Sequence, residues 1–489
     1  MNAVYLCTVA EPWIKVSQAL GKNANLHPAY FVCWGNEVES FKAAFDESTY
    51  IQTVKSAWQG KGFPKNIRKS ILDEAELAKI AKYELTGLKM MDRLDPDGES
   101  FAFNSRLYFF RDLIGYWMSV VDNKNIDVVI SPSIPHRVFD YALYVVCKIK
   151  NIQFLTFQMT PFGSRSAIID SIDEMPTINY EEYIGKVPSQ DIIDRINKVK
   201  KTYSEAIPEY MKAHAANDKT SLLQVAQGIP RASYRLLFKT PSVYWVQKGF
   251  MPQETNYSSV QFQKTQINRS HQVKSYEKLY HTMVSEERFD DYVLVALHYQ
   301  PEETSCPTGG SYSDQILIIQ LLDAILPTKT TIVVKEHKSQ FYTHQEGASG
   351  RDEIFYRRIG NISDRVKFVS ENAEPFVLID SAKAVVTVSG TIGWESAIRG
   401  TPVMVFGRAW YEGMPRVFKV KTREDIKNAL KQIDDFKNKD LDKEIMAFHA
   451  ALEKNLTKAI HYKAFLKNTD VSMNESEENI VQRITQYIS

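Results

Sequence analysis

Short apolar runs alternate with longer amphipathic stretches through the first part of the chain, and the alternation returns after about residue 286. "AVYLCTV" (3–9) and "AYFVCWG" (29–35) have the length and the β-branched and aromatic content of buried strands. A fuller unit is "IDVVISPSIPHRVFDYALYVVCKIKNIQFLTFQ" (126–158). It reads as a strand to about Ser131, a proline-punctuated loop, a helix with Tyr141, Tyr144, Val145 and Ile149 on one side, and a second strand, "QFLTFQ". Strand, helix, strand in that order predicts parallel pairing. Residues 65–94 and 105–122 carry helical periodicity between these strands.

From about 187 to 285 the strand signal fades, and "QDIIDRINKVKKTYSEAIPEYMKAHAAND" (190–218) reads as charged helix. "DDYVLVALHYQ", "TTIVVKEH", "RVKFVS", "AKAVVTVSG" and "TPVMVFG" then restart the alternation, separated by helical stretches such as "SDQILIIQLLDAIL". The pattern predicts an α/β protein with two doubly wound units: 1–186, a helical inter-domain segment 187–285, a second unit 286–435, and a helical tail 436–489 that packs back on the first. A chain of 489 residues also exceeds what one core usually organises.

Composition narrows the partners. With 60 Lys+Arg against 59 Asp+Glu, the net charge of +1 supplies no global field for nucleic acid or an anionic membrane. The four cysteines, Cys7, Cys33, Cys147 and Cys306, are scattered without metal-ligand spacing, which predicts reduced thiols and a cytoplasmic location. The opening "MNAVYLCTVAEPW" lacks a basic segment followed by a long apolar one, and no window approaches the roughly 20 apolar residues of a membrane span.

"VVTVSGTIGWESAIRGTPVMVFG" (385–407) concentrates the candidate chemistry. A buried strand stops at Ser389, Gly390 and Thr391, a short helix follows, and Gly400-Thr401-Pro402 returns the chain to the sheet. Ligands of open parallel sheets bind beyond the carboxyl ends of strands, where the next helix offers unpaired amides to phosphate. Glycine permits close approach, the two hydroxyls can donate, and Glu395 lies about one helical turn on, where a carboxylate can accept from ribose hydroxyls. The same residues alone also describe a plain helix cap with a carboxylate complementing the helix dipole.

"VSGTIGWESAIRGTPVMVFGRAWY" resembles the donor-site segment of bacterial capsule and surface-polysaccharide glycosyltransferases, including the Kdo-transferase-like capsule proteins. More distantly it is similar to the Ser-Gly-x-x-x-Glu segment of UDP-N-acetylglucosamine 2-epimerases. The resemblance extends to "LHYQPEETSCPTGGSYSDQ" and "IVVKEHKSQF", and faintly to "SPSIPHRVFDYALYVVCKIKNI". It implies the GT-B architecture of two facing Rossmann-like domains. It places the phosphate turn on Ser389, Gly390 and Thr391, the acidic helix residue on Glu395, and the basic strand-end motif on Lys335 and His337, with Lys338 where the family commonly has proline.

Group transfer also needs a proton acceptor and a way to hold the leaving phosphate. His298, Gln300, Glu302 and Glu303 follow the strand "YVLVAL", and His136 follows "IDVVIS", so both sets should emerge at carboxyl edges facing the inter-domain cleft. Glu302 and His136 are the expected acid–base residues, with a solvated loop carboxylate and a helix-start residue as the alternatives. No Gly-x-Gly-x-x-Gly follows a strand, and there is no P-loop, His-Glu-x-x-His or Gly-x-Ser-x-Gly, so hydride transfer, ATP hydrolysis, zinc proteolysis and α/β-hydrolase chemistry lose support. In "DRLDPDGES" (92–100) Arg93 stands where a calcium loop needs its first carboxylate, which leaves a turn.

The expectation is therefore a metal-independent GT-B glycosyltransferase without a cofactor, moving a sugar from a nucleotide-sugar donor to a capsule, O-antigen or other surface glycan. The resemblance implies Kdo or another acidic sugar, with a CMP-linked donor as one option, and a glycan or lipid-linked acceptor. "YRLLFKTPSVYWVQKGF" (234–250) mixes aromatic and basic residues, suiting either helix packing or peripheral contact with the inner membrane or an assembly complex. An epimerase of the same fold and a non-catalytic nucleotide- or glycan-binding member are the competing readings.

Overall fold

The strand Asn2–Thr8 (β1) is buried along all but its first residue. Burial of both faces requires helices above and below, the environment of a parallel sheet in an α/β protein. In the computed structural model, which describes residues 1–95, 101–207, 259–345, 347–434, 440–466 and 469–488, β1 is a central strand. It pairs in parallel with His27–Cys33 (β2) and Ile126–Ser131 (β4), and these pair in parallel with Tyr50–Thr53 (β3) and Gln153–Met159 (β5). Arg165–Ile169 (β6) and Leu456–Lys458 (β13) extend the sheet antiparallel, giving the order β13-β6-β5-β4-β1-β2-β3.

The second sheet is parallel throughout. Its strands are Tyr292–Ala296 (β7), Thr331–Lys335 (β8), Val366–Val369 (β9), Ala384–Thr387 (β10), Val403–Val405 (β11) and Val417–Lys419 (β12), in the order β12-β11-β10-β7-β8-β9. Strand order reverses between β1 and β4 in the first sheet and between β7 and β10 in the second. Such reversals open a crevice at the carboxyl ends, the usual ligand position in this architecture. The two doubly wound domains face one another across those edges, which is the GT-B arrangement.

Two expectations need correction. The first sheet is mixed rather than wholly parallel, because β5 and β6 form a hairpin and the tail adds a further antiparallel edge strand. The tail is also not entirely helical: the helices Leu441–Asn455 and Met473–Ile488 flank β13. β12 and β13 span three residues each, too few to show a period of two.

The tail is part of the first domain's core. Ile480 and Ile484 are fully buried with Trp13, Val16 and Leu20 of the helix Ala10–Ala24. His461 is anchored on both ring nitrogens, by Pro132 O at 2.8 Å and Ser166 Oγ at 2.7 Å, and its carbonyl accepts from Trp13 Nε1 at 2.9 Å. Between the domains, the helix Gln190–Lys201 lies against the helix Thr391–Arg399, with Arg399 Nη1 donating to Val199 O at 2.8 Å.

Candidate functional site

The turn after β10 sits at the second sheet's switch point, opposite the loop that follows β7. Gly390 is the N-cap of the helix Thr391–Arg399, and Gly400 ends it with φ 94°, a left-handed conformation that side chains resist. Ser389 is buried, and its hydroxyl is engaged inside the protein, donating to Thr304 O at 2.5 Å. Thr391 is exposed, and the amides of Thr391 and Ile392 have no hydrogen-bond partner among the described residues. Of the predicted turn, Thr391 is thus the residue whose hydroxyl and amide face outward.

His298, just beyond β7, holds the inner side of this turn. Its Nε2 lies 2.8 Å from Thr387 Oγ1 and accepts from the amides of Val388, Ser389 and Gly390 at 3.1, 3.3 and 3.2 Å. Burial, with His337 and Arg351 nearby, keeps the ring neutral by lowering its pKa to about 3.

Glu395 is buried on the inner face of its helix, with Arg195 and Arg399 the nearest cations. Burial raises its carboxyl to about 7. In this conformation it is closed off from a ribose, contrary to the exposed position expected of a hydroxyl acceptor. One helical turn places it four residues beyond Thr391, but tertiary packing turns that face inward.

Lys335 ends β8 and is buried, donating to Glu371 O at 2.7 Å, and desolvation lowers its pKa to about 8. His337 accepts from Ser339 N at Nδ1, 3.3 Å away, and burial together with Lys335 and Arg351 lowers it to about 4. Between them Glu336 is fully buried, paired with Arg351 at 3.0 Å and accepting from Tyr356 Oη at 2.9 Å. Arg351 continues to His298 O at 2.8 Å and to Gln300 Oε1. One buried ion pair therefore ties the strand-end basic motif to the loop that carries His298.

The two domains meet at His136 and Glu303. His136, in the loop after β4, is partly buried, and its Nδ1 lies 2.6 Å from Ile134 O and 3.3 Å from Glu303 Oε2. A carbonyl only accepts, so the Nδ1 bond to Ile134 puts the proton on Nδ1 and leaves Nε2 as the lone-pair nitrogen. Burial, Arg137 and Arg93 hold the ring's pKa well below the usual histidine range. Burial and the neighbouring Glu302 push Glu303 up to about 7 against the opposing charges of Arg137, Arg408 and Arg93. Glu302 is exposed and accepts from Thr304 Oγ1 at 3.0 Å. Glu302 lines the crevice together with His136, Arg93, Gln300 and Pro301, whereas the glutamate that reaches His136 is Glu303.

Strain and unpaired donors concentrate at the same edge. Val138 has φ 40°, a region that β-branched residues rarely occupy, immediately after the buried Arg137. The Nε atoms of Arg137 and Arg408 are buried without a partner among the described residues. Arg408 crosses to the first domain through Gln158 Oε1 at 2.6 Å.

Residues 246–429, which contain β7 to β12 and the turn after β10, match the family described as capsule polysaccharide biosynthesis protein. No curated protein matches the sequence. Similar solved structures include Thermosulfurimonas dismutans KpsC, beta Kdo 2,7 transferase, at 10% identity over 75% of this chain and 88% of that one, TM-score 0.29. Another is UDP-GlcNAc 2-epimerase from Methanocaldococcus jannaschii, at 11% identity over 93% and 98%, TM-score 0.24. A glycosyltransferase from Rickettsia africae ESF-5 is 9% identical over 100% and 98%, TM-score 0.24.

Within the matched residues 246–429, Glu277, His281 and Glu371 form a group with metal-ligating donor atoms within 4.8 Å of one another. They already pair internally, His281 with Glu371 at 3.1 Å and Glu277 with Lys274 at 2.7 Å, and they do not line the crevice beside His136. Among the described residues no helix is long and apolar enough to cross a membrane, and the aromatic and basic stretch 234–250 lies outside them.

His298 and Glu303 are the residues whose roles the sequence left unassigned. Both stand in "LHYQPEETS" (297–305), where several polar residues follow one strand and offer their side chains to one edge. Arg137 and Arg408 carried no signal, since each is an isolated arginine in its segment.

Proposed function

We propose that the protein is a glycosyltransferase of surface-glycan biosynthesis, binding a nucleotide-sugar donor at the turn after β10 and performing transfer in the cleft between the domains. The observation that carries this reading is the His136–Glu303 contact, which joins the carboxyl edges of both sheets at one point. The capsule-synthesis match supports the biological setting.

Each residue then has a chemical task. Thr391, with the free amides of Thr391 and Ile392, binds a donor phosphate at the helix N-terminus. Ser389 and Gly390 shape the turn, and Lys335 and His337 stand at the same carboxyl edge at the end of β8, one strand beyond β7. Lys335 is the group there that can carry positive charge toward the leaving phosphate, and its proton is held less tightly than that of an ordinary lysine. Glu303 has a pKa near neutrality, where a carboxyl can both accept and return a proton, and His136 offers a neutral Nε2 beside it. One of them takes the proton of the acceptor hydroxyl as its oxygen attacks the anomeric carbon and the bond to the donor phosphate breaks.

Arg93, Arg137 and Arg408 suit an anionic reaction partner, in keeping with phosphate or an acidic sugar such as Kdo. Nucleotide type, including a CMP-linked donor, a lipid-linked acceptor, and work at the cytoplasmic face of the inner membrane belong to the same proposal. In this reading the donor phosphate meets the amides of Thr391 and Ile392 and the Thr391 hydroxyl, with Lys335 at the same sheet edge, so the reading requires no divalent ion.

The deciding experiment incubates the full-length protein with CMP-Kdo, UDP-GlcNAc and other sugar nucleotides, with and without an oligosaccharide acceptor, and follows product by mass spectrometry. Product that appears only with acceptor supports transfer. Turnover of the sugar nucleotide without acceptor overturns it in favour of epimerisation, and nucleotide binding without any product favours a binding protein.

A further inference from the structure

We infer that His298 is a positioning residue for the donor-phosphate site: its neutral ring, bare at Nε2, holds the inner amides of the turn so that the amides of Thr391 and Ile392 face outward. The inference rests on the donor-site reading above and adds to it the residue that gives the turn its shape.

Four donor groups converge on one atom. The Thr387 hydroxyl lies 2.8 Å from His298 Nε2, and the successive amides of Val388, Ser389 and Gly390 lie 3.1 to 3.3 Å from it. An amide can only donate, so Nε2 must present its lone pair and the proton must sit on Nδ1, which has Thr304 Oγ1 as its neighbour at 3.4 Å. Buried amides are almost always paired, and these three find no other acceptor among the described residues. The turn therefore depends on the ring for its local shape.

The ring is itself fixed from behind. The His298 amide donates to Gln315 Oε1 at 2.7 Å, and its carbonyl accepts from Arg351 Nη2 at 2.8 Å. Contact on the other side explains the glycine: a Cβ on Gly390 would lie 3.1 Å from the ring's Cε1 and Nε2. Closing the inner amides against the ring leaves the next two amides, at the start of the helix Thr391–Arg399, without an internal partner. A phosphate at that point meets the outward donors while the inner ones stay occupied.

The test compares His298→Ala, His298→Asn and His298→Gln in the full-length protein, titrating CMP and UDP separately by calorimetry. Gln places an amide oxygen near the position of Nε2, whereas Asn stops short of it. Loss of the acceptor should weaken the nucleotide that the parent binds by about tenfold or more in the Ala and Asn variants, and Gln should restore it to within about threefold. Transfer at saturating donor should change little, which separates positioning from chemistry. A second measurement is independent of nucleotide: ¹⁵N spectra of histidine-labelled protein should show His298 unprotonated at Nε2 at neutral pH. If His298→Ala does not fold, the contrast between Asn and Gln carries the result. Equal affinities across folded variants, or a protonated Nε2, overturn the positioning role while leaving the donor site standing. A parent protein that binds neither nucleotide overturns the donor-site reading and this inference with it.

Discussion

His136 Nδ1 and Glu303 Oε2 stand 3.3 Å apart although 166 intervening residues separate them and each follows the carboxyl end of a strand in a different sheet. The contact fixes the point at which the switch crevices of the two domains meet, and it distinguishes Glu303 from its exposed neighbour Glu302.

That distinction can be measured. Glu303→Gln should lower single-turnover transfer by about 10²–10⁴-fold at saturating donor, the usual worth of an acid–base group. Glu302→Gln should stay close to the parent rate. The reverse order of effects would assign the chemistry to Glu302, the carboxylate expected from sequence.

Two hydroxyls of one turn should separate in the same way. Thr391→Val removes an outward donor and should weaken nucleotide binding by roughly 1 kcal/mol while leaving the melting temperature near that of the parent. Ser389→Ala removes the 2.5 Å bond to Thr304 O and should lower the melting temperature instead. Calorimetric titration and thermal scans of both variants provide the comparison. Matching losses of affinity would return Ser389 to the ligand's side of the turn.

Glu395 should make stability depend on pH. Burial raises its carboxyl from 4.5 to about 7, so the folded protein binds more protons than the unfolded chain across that interval. This contribution is fully present below the lower value and is lost as pH rises through the upper one. Glu395→Gln should therefore gain stability relative to the parent between about pH 5 and about pH 8. Denaturant unfolding of both proteins at several pH values reads the difference. A difference that stays flat with pH would show that the carboxyl is already ionised in the fold.

The Glu336–Arg351 pair is buried on both sides. Arg351→Met would leave Glu336 charged without its cation, a change that typically costs about 3–5 kcal/mol, and would release the carbonyl of His298. Urea unfolding should register the loss, and Arg351→Met combined with Glu336→Gln should recover much of it. A double variant no more stable than the single one would argue against a coupled pair.

Sequence alone determined the longer buried strands and the sheet edge on which the candidate site residues lie. Buried strands such as "YVLVA" and "AVVT" are continuous apolar runs, and a parallel sheet displays the residues after each strand at one end whatever the exact register. The positions of Ser389, Gly390, Thr391, Lys335 and His337 at strand ends were legible for that reason. The tertiary structure decided which side chain of each cluster points where. Glu302 and Glu303 are adjacent and alike in a sequence, and only the approach of His136 from the other domain tells them apart. Glu395 follows the turn at helical spacing, yet packing of the helix Gln190–Lys201 closes its face. The acceptor that shapes the turn, His298, comes from 89 residues upstream of Thr387. Local periodicity records which residues share a strand or a helix face, but contacts between loops of different strands depend on the order of strands in the sheets and on how the two domains meet.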